Sequence, residues 1–124
     1  MLCSIQIALT AILAADSPAP AALFVLPGDM PAVNPTTFAL LRARMEQTDA
    51  QVCIPQCHVR LGHPVLIRHD SFDTVLAFKS SGGLRKAIAP LATQVVKTTD
   101  EGILLDADDP TAFKKLTTYL LGPQ

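Results

Sequence analysis

A short apolar run stopped by a proline–glycine break sets the strongest constraint on this chain. Leu23-Phe24-Val25-Leu26 leads straight into Pro27-Gly28, and Asp29-Met30-Pro31 follows. An unbroken apolar run of this length fits a strand buried on both faces of a parallel sheet. A core helix fits less well, because Pro27 and Gly28 end the run. A strand over Ala22–Leu26 leaves Asp29 at its carboxyl end, the edge at which open α/β sheets bind ligands. Asp29 is therefore a candidate functional residue, with a plain turn-former as the alternative.

The 124 residues suit one small domain. Hydrophobic residues make up 49% and charged residues 17%, the balance of a globular chain and not a disordered one. A net charge of −1 gives no electrostatic case for binding nucleic acid or an anionic membrane. No Lys or Arg precedes Arg42, so the first third is unusually apolar. Leu2 to Ala15 lacks the basic start of an export signal, and the run is too short to span a bilayer. A buried helix is the expectation there, with a cleaved export signal as the weaker alternative. An odd cysteine count (Cys3, Cys53, Cys57) argues against a disulfide framework and for a reducing cytoplasm.

Helical spacing predicts a helix over Ser4–Ala15. Asn34 and Pro35 suit the cap and first turn of a helix that ends near Gln47-Thr48-Asp49. Gln51–Ile54 reads as a short strand. Val59 to Ile67 reads as a turn and a strand around Gly62 and Pro64, which with Gln51–Ile54 can form a hairpin-like excursion. Asp70 or Ser71 is expected to cap a short helix through Ala77. Ser80–Gly83 reads as a loop, Leu84–Ala92 as a helix, and Gln94–Thr98 and Ile103–Leu105 as strands. A last helix is expected over Thr111–Leu121.

Three groups of residues carry candidate chemistry. Asp106, Asp108 and Asp109 follow an apolar run and precede a helix, the same setting as Asp29. Acids at the ends of two parallel strands can face one crevice and hold Mg²⁺ through oxygen ligands. Helix capping is the alternative, and the favoured one for Asp109. His63 beside Pro64 is either a phosphate-facing loop residue or a structural turn histidine. Gly82-Gly83-Leu84-Arg85 can offer backbone N–H groups and a cation to an anion, or be a plain loop. Cys53, Cys57, His58 and His63 lack a second matched ligand pair for zinc. No nucleophile triad and no phosphate-cradling glycine fingerprint occurs.

Several stretches together resemble one family, the molybdenum cofactor nucleotidyltransferases (the MobA-like NTP transferases). They are Val25-Leu26-Pro27-Gly28-Asp29-Met30-Pro31, Gly62-His63-Pro64-Val65-Leu66, Gly83-Leu84-Arg85 and Leu104-Leu105-Asp106-Ala107-Asp108-Asp109-Pro110. The Gly-His-Pro-Val element is closer to the cytidylyltransferase branch than to the guanylyltransferase branch. Met1-Leu2-Cys3-Ser4-Ile5 resembles the start of the family's second helix.

The resemblance implies an α/β fold, a three-layer sheet like that of the nucleotide-diphospho-sugar transferases (GT-A-like). It implies transfer of a nucleoside monophosphate from CTP or GTP to the phosphate of molybdopterin. It makes Asp29, Asp108 and Asp106 ligands of Mg²⁺, and it sets Gly62, His63 and Arg85 at the substrate. Two departures stand out. The family's opening strand and its loop resembling L-A-A-G-x-S-x-R-M-G have no counterpart in these residues. The family's Asp-Thr-Pro-Glu-Asp is replaced by Asp108-Asp109-Pro110-Thr111-Ala112.

The expectation is accordingly a partial fold over residues 1–124, the C-terminal portion of such a domain, lacking the N-terminal strand and glycine-rich loop. It is expected to be inactive alone, because nucleotidyl transfer depends on anchoring the triphosphate. A non-catalytic interaction module, completed by another polypeptide or by self-association into a homo-oligomer, is the alternative. The apolar first helix motivates it.

Overall fold

The structure, a computed structural model, describes residues 2–16 and 18–105, with Lys114 and Thr118 beyond them. Its elements in chain order are α1 (Leu2–Ala14), β1 (Ala22–Val25), α2 (Pro35–Gln47), β2 (Val52–Cys57), β3 (Arg60–Leu61), β4 (Val65–Arg68), α3 (Phe72–Ala77), α4 (Gly83–Ile88) and β5 (Thr93–Lys97). Short 3₁₀ turns occupy His69–Ser71 and Glu101–Leu104. The expected final helix over Thr111–Leu121 lies outside the described residues. Among the described residues no helix is long and apolar enough to cross a membrane.

The sheet is mixed, which corrects the expectation of a parallel one. β4 lies between β1 and β2 and runs antiparallel to both, while β5 runs parallel to β2 on its other side. The cause is the tight turn at His58-Val59. It reverses the chain after β2 and sends β3 and β4 back along it, where a crossover helix would have kept the strands parallel. β1, β2 and β5 therefore share a direction without all being neighbours.

Side chains alternate between two helical layers, as strand geometry requires. Val52, Ile54, Val65 and Ile67 face α1, α3 and α4, and meet Leu9, Phe72, Val75, Leu84 and Ile88. Cys53, Leu66 and Val96 face α2, and meet Leu41 and Met45. The result is a three-layer α/β arrangement. Each fully buried Val or Leu in it contributes about 1.5–3 kcal/mol by leaving water.

Asn34 caps α2 as the sequence implies. Its side chain accepts from the Thr36 N–H, and Pro35 occupies the first turn. Other boundaries move. α4 stops at Ile88, short of the expected Ala92. Asp70 does not cap α3; its carboxylate takes the Arg68 guanidinium at 2.8 Å. Ile103–Leu105 is not a strand, because the Asp100 carboxylate accepts the Gly102 N–H at 2.9 Å and winds the chain into a turn.

Two burial expectations also change. α1 is covered on one side only: Leu9 is 2% exposed, but Ile7 is 71% exposed. Leu2, Ile5 and Leu9 form the stripe that reaches the core, and Gln6 fastens the helix to α3 by donating to the Val75 and Phe78 carbonyls, each at 2.9 Å. Among the described residues β1 is an edge strand, and it is not buried on both faces. Leu23 and Val25 pack under α1, whereas Phe24 meets Phe38 of α2 edge-on and stays 38% exposed.

Candidate functional site

The turn after β1 positions Asp29. Pro27 ends the strand, and the Met30 amide donates to the Pro27 carbonyl at 3.2 Å, closing the turn around Gly28-Asp29. Met30 is buried and holds the turn against the body of the domain. Asp29 is left half-buried at the mouth of a cleft of about 270 Å³. No hydrogen bond or ion pair among the described residues engages its carboxylate.

A bulge brings His63 to the same cleft. Cys53 pairs with Leu66 and Gln56 with Leu61, so three steps along β2 match five along the returning strand. The two extra residues fall in the stretch Gly62-His63-Pro64, which contains a cis His63–Pro64 peptide. The stretch bows out of the regular register and carries the imidazole with it, the usual effect of a bulge on a side chain's direction. The bulge is fastened from both sides. Gly62 N–H donates to the Pro55 carbonyl at 2.9 Å, and His63 N–H donates to the Ile103 carbonyl at 3.1 Å. Gly62 must be glycine here, since a Cβ would run into the Ile103 carbonyl oxygen.

The His63 imidazole has an unusual setting. Its Nδ1 is buried without a hydrogen-bond partner among the described residues. Burial pushes its pKa below the ordinary value, the Arg85 guanidinium pushes the same way, and the Asp29 carboxylate opposes both. The neutral ring is thereby favoured in a cleft that also holds a free carboxylate.

The structure therefore sets Asp29, Gly62 and His63 around one cleft. Arg85 is exposed on α4 and reaches His63 only through its charge. α4 has six residues, and no side chain caps it. Asp106, Asp108 and Asp109 lie outside the described residues, but Leu104, two positions before Asp106, lines the cleft.

Arg60 also lines the cleft, and the sequence reading passed over it. No sequence pattern singled it out: β3 ends at Leu61, and the cleft takes in both Arg60 and Leu61. The cysteines are apart from the site. Cys53 lies under α2 and Cys57 beside Val33 and Ile103, both with thiol pKa values raised chiefly by burial. His58 is exposed and faces Glu101 at 3.0 Å.

As a cation site the cleft offers the Asp29 carboxylate, with the His63 imidazole and the Arg60 side chain also in its lining. Among the described residues no group of three or more His, Cys, Asp or Glu side chains gathers to hold a metal. One unengaged carboxylate suits a cation such as Mg²⁺ or Mn²⁺, which takes one or two protein carboxylates and completes its shell with water and phosphate. The donor set fits that kind of ion and not a closed structural site.

Comparison with known proteins gives consistent results. Residues 1–97 match the family model of the MobA-like NTP transferase domain. No curated protein sequence matches the chain. Among solved structures, it is similar to a homologue of Mycobacterium tuberculosis Rv0371c from Mycobacterium sp. strain JC1. The TM-score is 0.76 at 18% identity, covering 95% of this chain and 58% of that one. It is also similar to Rv0371c of M. tuberculosis H37Rv in complex with manganese. There the TM-score is 0.68 at 20% identity, with 87% and 57% covered. A further structure of Rv0371c gives a TM-score of 0.66 at 20% identity, with 91% and 56% covered. At these identities the likeness is one of fold. The chain spans 56–58% of the length of these structures.

Proposed function

The chain belongs to the MobA-like NTP transferase domain family, and from that premise we propose that its cleft is the metal and acceptor side of a nucleotidyl-transfer site. The observation that carries this reading is that the unengaged Asp29 carboxylate and the His63 side chain line one cleft. Asp29 holds the divalent cation, Mg²⁺ in our reading, with Asp108 and Asp106 as the further acids. The manganese complex of Rv0371c supports a divalent cation of this class. When bound, such an ion neutralises phosphate charge during in-line displacement.

The chain's own residues bind and orient. The neutral His63 ring lines the cleft on the acceptor side, and Gly62 lets the chain pass close to Ile103 beside it. Arg60 and Arg85 add positive charge toward phosphate oxygens. The nucleotide is CTP or GTP and the acceptor the phosphate of molybdopterin, with pyrophosphate leaving. The free thiols of Cys3, Cys53 and Cys57 favour the cytoplasm.

The 124 residues by themselves include no glycine-rich loop for the triphosphate, so we infer that they do not turn over alone. Incubation with CTP or GTP, Mg²⁺ and molybdopterin is expected to yield no dinucleotide and no pyrophosphate. Clear turnover would contradict that part of the reading. A second reading is a non-catalytic interaction module, motivated by the exposed apolar residues Ile7 and Leu13 of α1.

A further inference from the structure

Asp29 and His63 reach their cleft on two arms. Asp29 stands in the segment between β1 and α2, and His63 in the stretch between β3 and β4. Both arms rest on a third element, the 3₁₀ turn at Glu101–Leu104.

The Asp29 arm meets that turn at three successive residues. Gly102 sits so close to the Ala32 carbonyl that a Cβ there would overlap it. Val33 packs with Ile103 and Cys57. Asn34, where the arm ends, donates its N–H to the Asp100 carboxylate. The His63 arm meets the turn at one carbonyl. His63 N–H donates to the Ile103 carbonyl at 3.1 Å, and Gly62 lies against the same group.

The turn in its own right is built on Asp100. The Asp100 carboxylate accepts from the Gly102 N–H, and its backbone carbonyl accepts from the Ile103 N–H at 3.4 Å. Its N–H donates to Thr98 Oγ1 at 3.1 Å, which ties the turn to the end of β5. On the other side the carboxylate accepts from Thr37 Oγ1, in the first turn of α2. Thr37 is 1% and Asp100 9% exposed, so water competes little for these bonds. An ionised carboxylate can accept from all these donors at once, because both of its oxygens are acceptors. Asp100 does not line the cleft, so any effect on it passes through the two arms.

We propose that Asp100 is a positioning residue: by holding both arms against one turn it sets the spacing of Asp29 and His63, and with it the affinity of the cleft for a divalent cation. The second part rests on the reading of Asp29 as that cation's ligand.

The test compares the wild-type chain with Asp100→Asn, Thr37→Val and Thr37→Ser, each ¹⁵N-labelled and titrated with Mn²⁺. Asn keeps the shape but has a single side-chain acceptor oxygen, so it releases either Gly102 or the Asn34 and Thr37 donors. Asp100→Asn is expected to shift the Met30 and His63 amide signals together before metal is added. It is expected to raise the Mn²⁺ dissociation constant roughly three- to tenfold. Thr37→Val keeps the carboxylate and is expected to move the same two signals less; it decides the question if Asp100→Asn does not fold. Thr37→Ser keeps the hydroxyl and is expected to match the wild type in both readouts.

Variants that lose stability but keep both signals and the Mn²⁺ affinity at wild-type values overturn the proposal and leave Asp100 a stabilising residue only. A shift confined to one arm overturns the shared anchor. Shifted signals with unchanged affinity overturn the link to the cation. A wild-type chain that binds no Mn²⁺ at Asp29 defeats the metal reading, and the two amide signals then still decide whether Asp100 positions the arms.

Discussion

Thr37 Oγ1 donates to Asp100 Oδ2 at 2.6 Å, tying the first turn of α2 to the 3₁₀ turn at Glu101–Leu104. The same carboxylate accepts from the Asn34 N–H at 2.8 Å, and its other oxygen accepts from Gly102. Two segments more than sixty residues apart in sequence meet at one nearly buried acid. The 3₁₀ turn in turn presents the Ile103 carbonyl to His63, so this clamp fixes a wall of the cleft. Gly102 allows the meeting, since a Cβ there would strike the Ala32 carbonyl.

Asp100→Ala leaves those donors without their acceptor. It is expected to cost about 2–4 kcal/mol in urea-denaturation free energy, and Thr37→Val about 1–2 kcal/mol. The smaller value follows because Thr37→Val leaves the Asn34 and Gly102 N–H groups bonded.

Gly62→Ala forces backbone against backbone at Ile103. A loss of about 1–3 kcal/mol is expected, in the range of overpacked sites. The amide resonance of His63 should shift with it, because its bond to Ile103 is the contact displaced. An Ala at Gly28, where an added Cβ meets nothing within 4 Å, serves as the control and should leave that resonance in place.

Much of this was legible in the sequence, and the misses have physical causes. The Asn34-Pro35 start of α2 and the strand ending at Pro27 are local, set by capping and by backbone breaks. What β1 pairs with is not local. It depends on the reversal at His58-Val59, where two non-glycine residues take positive φ of 50° and 60°. No turn signal such as Asn-Gly marks that reversal. Pro55 hid the second half of β2, because a proline inside a central strand argues against one. It is accommodated beside the bulge, where the ladder with the returning strand is interrupted. Asp29 and His63 were legible as candidates from their surroundings, while Asp100 read only as a turn former, since its partners lie more than sixty residues away.

The His63 environment predicts a pH dependence with a definite sign. Its folded pKa lies below the ordinary 6.5, so between the two values the unfolded chain binds more protons. The stability this residue leaves intact is complete above about pH 6.5 and falls as pH drops toward the folded value. His63→Gln should flatten that part of the profile. In a proton NMR titration, Arg85→Gln should raise the His63 pKa and Asp29→Asn should lower it further, because each removes one of the two opposing charges.

The central claim is that Asp29 holds a divalent cation in the cleft it shares with His63. Mn²⁺ titrated into the full ¹⁵N-labelled chain tests it most directly, through paramagnetic broadening of amide signals. Broadening is predicted to centre on Asp29, Met30 and His63, and to disappear in Asp29→Asn while the rest of the spectrum stays in place. Broadening centred elsewhere, or unchanged by Asp29→Asn, would contradict the account.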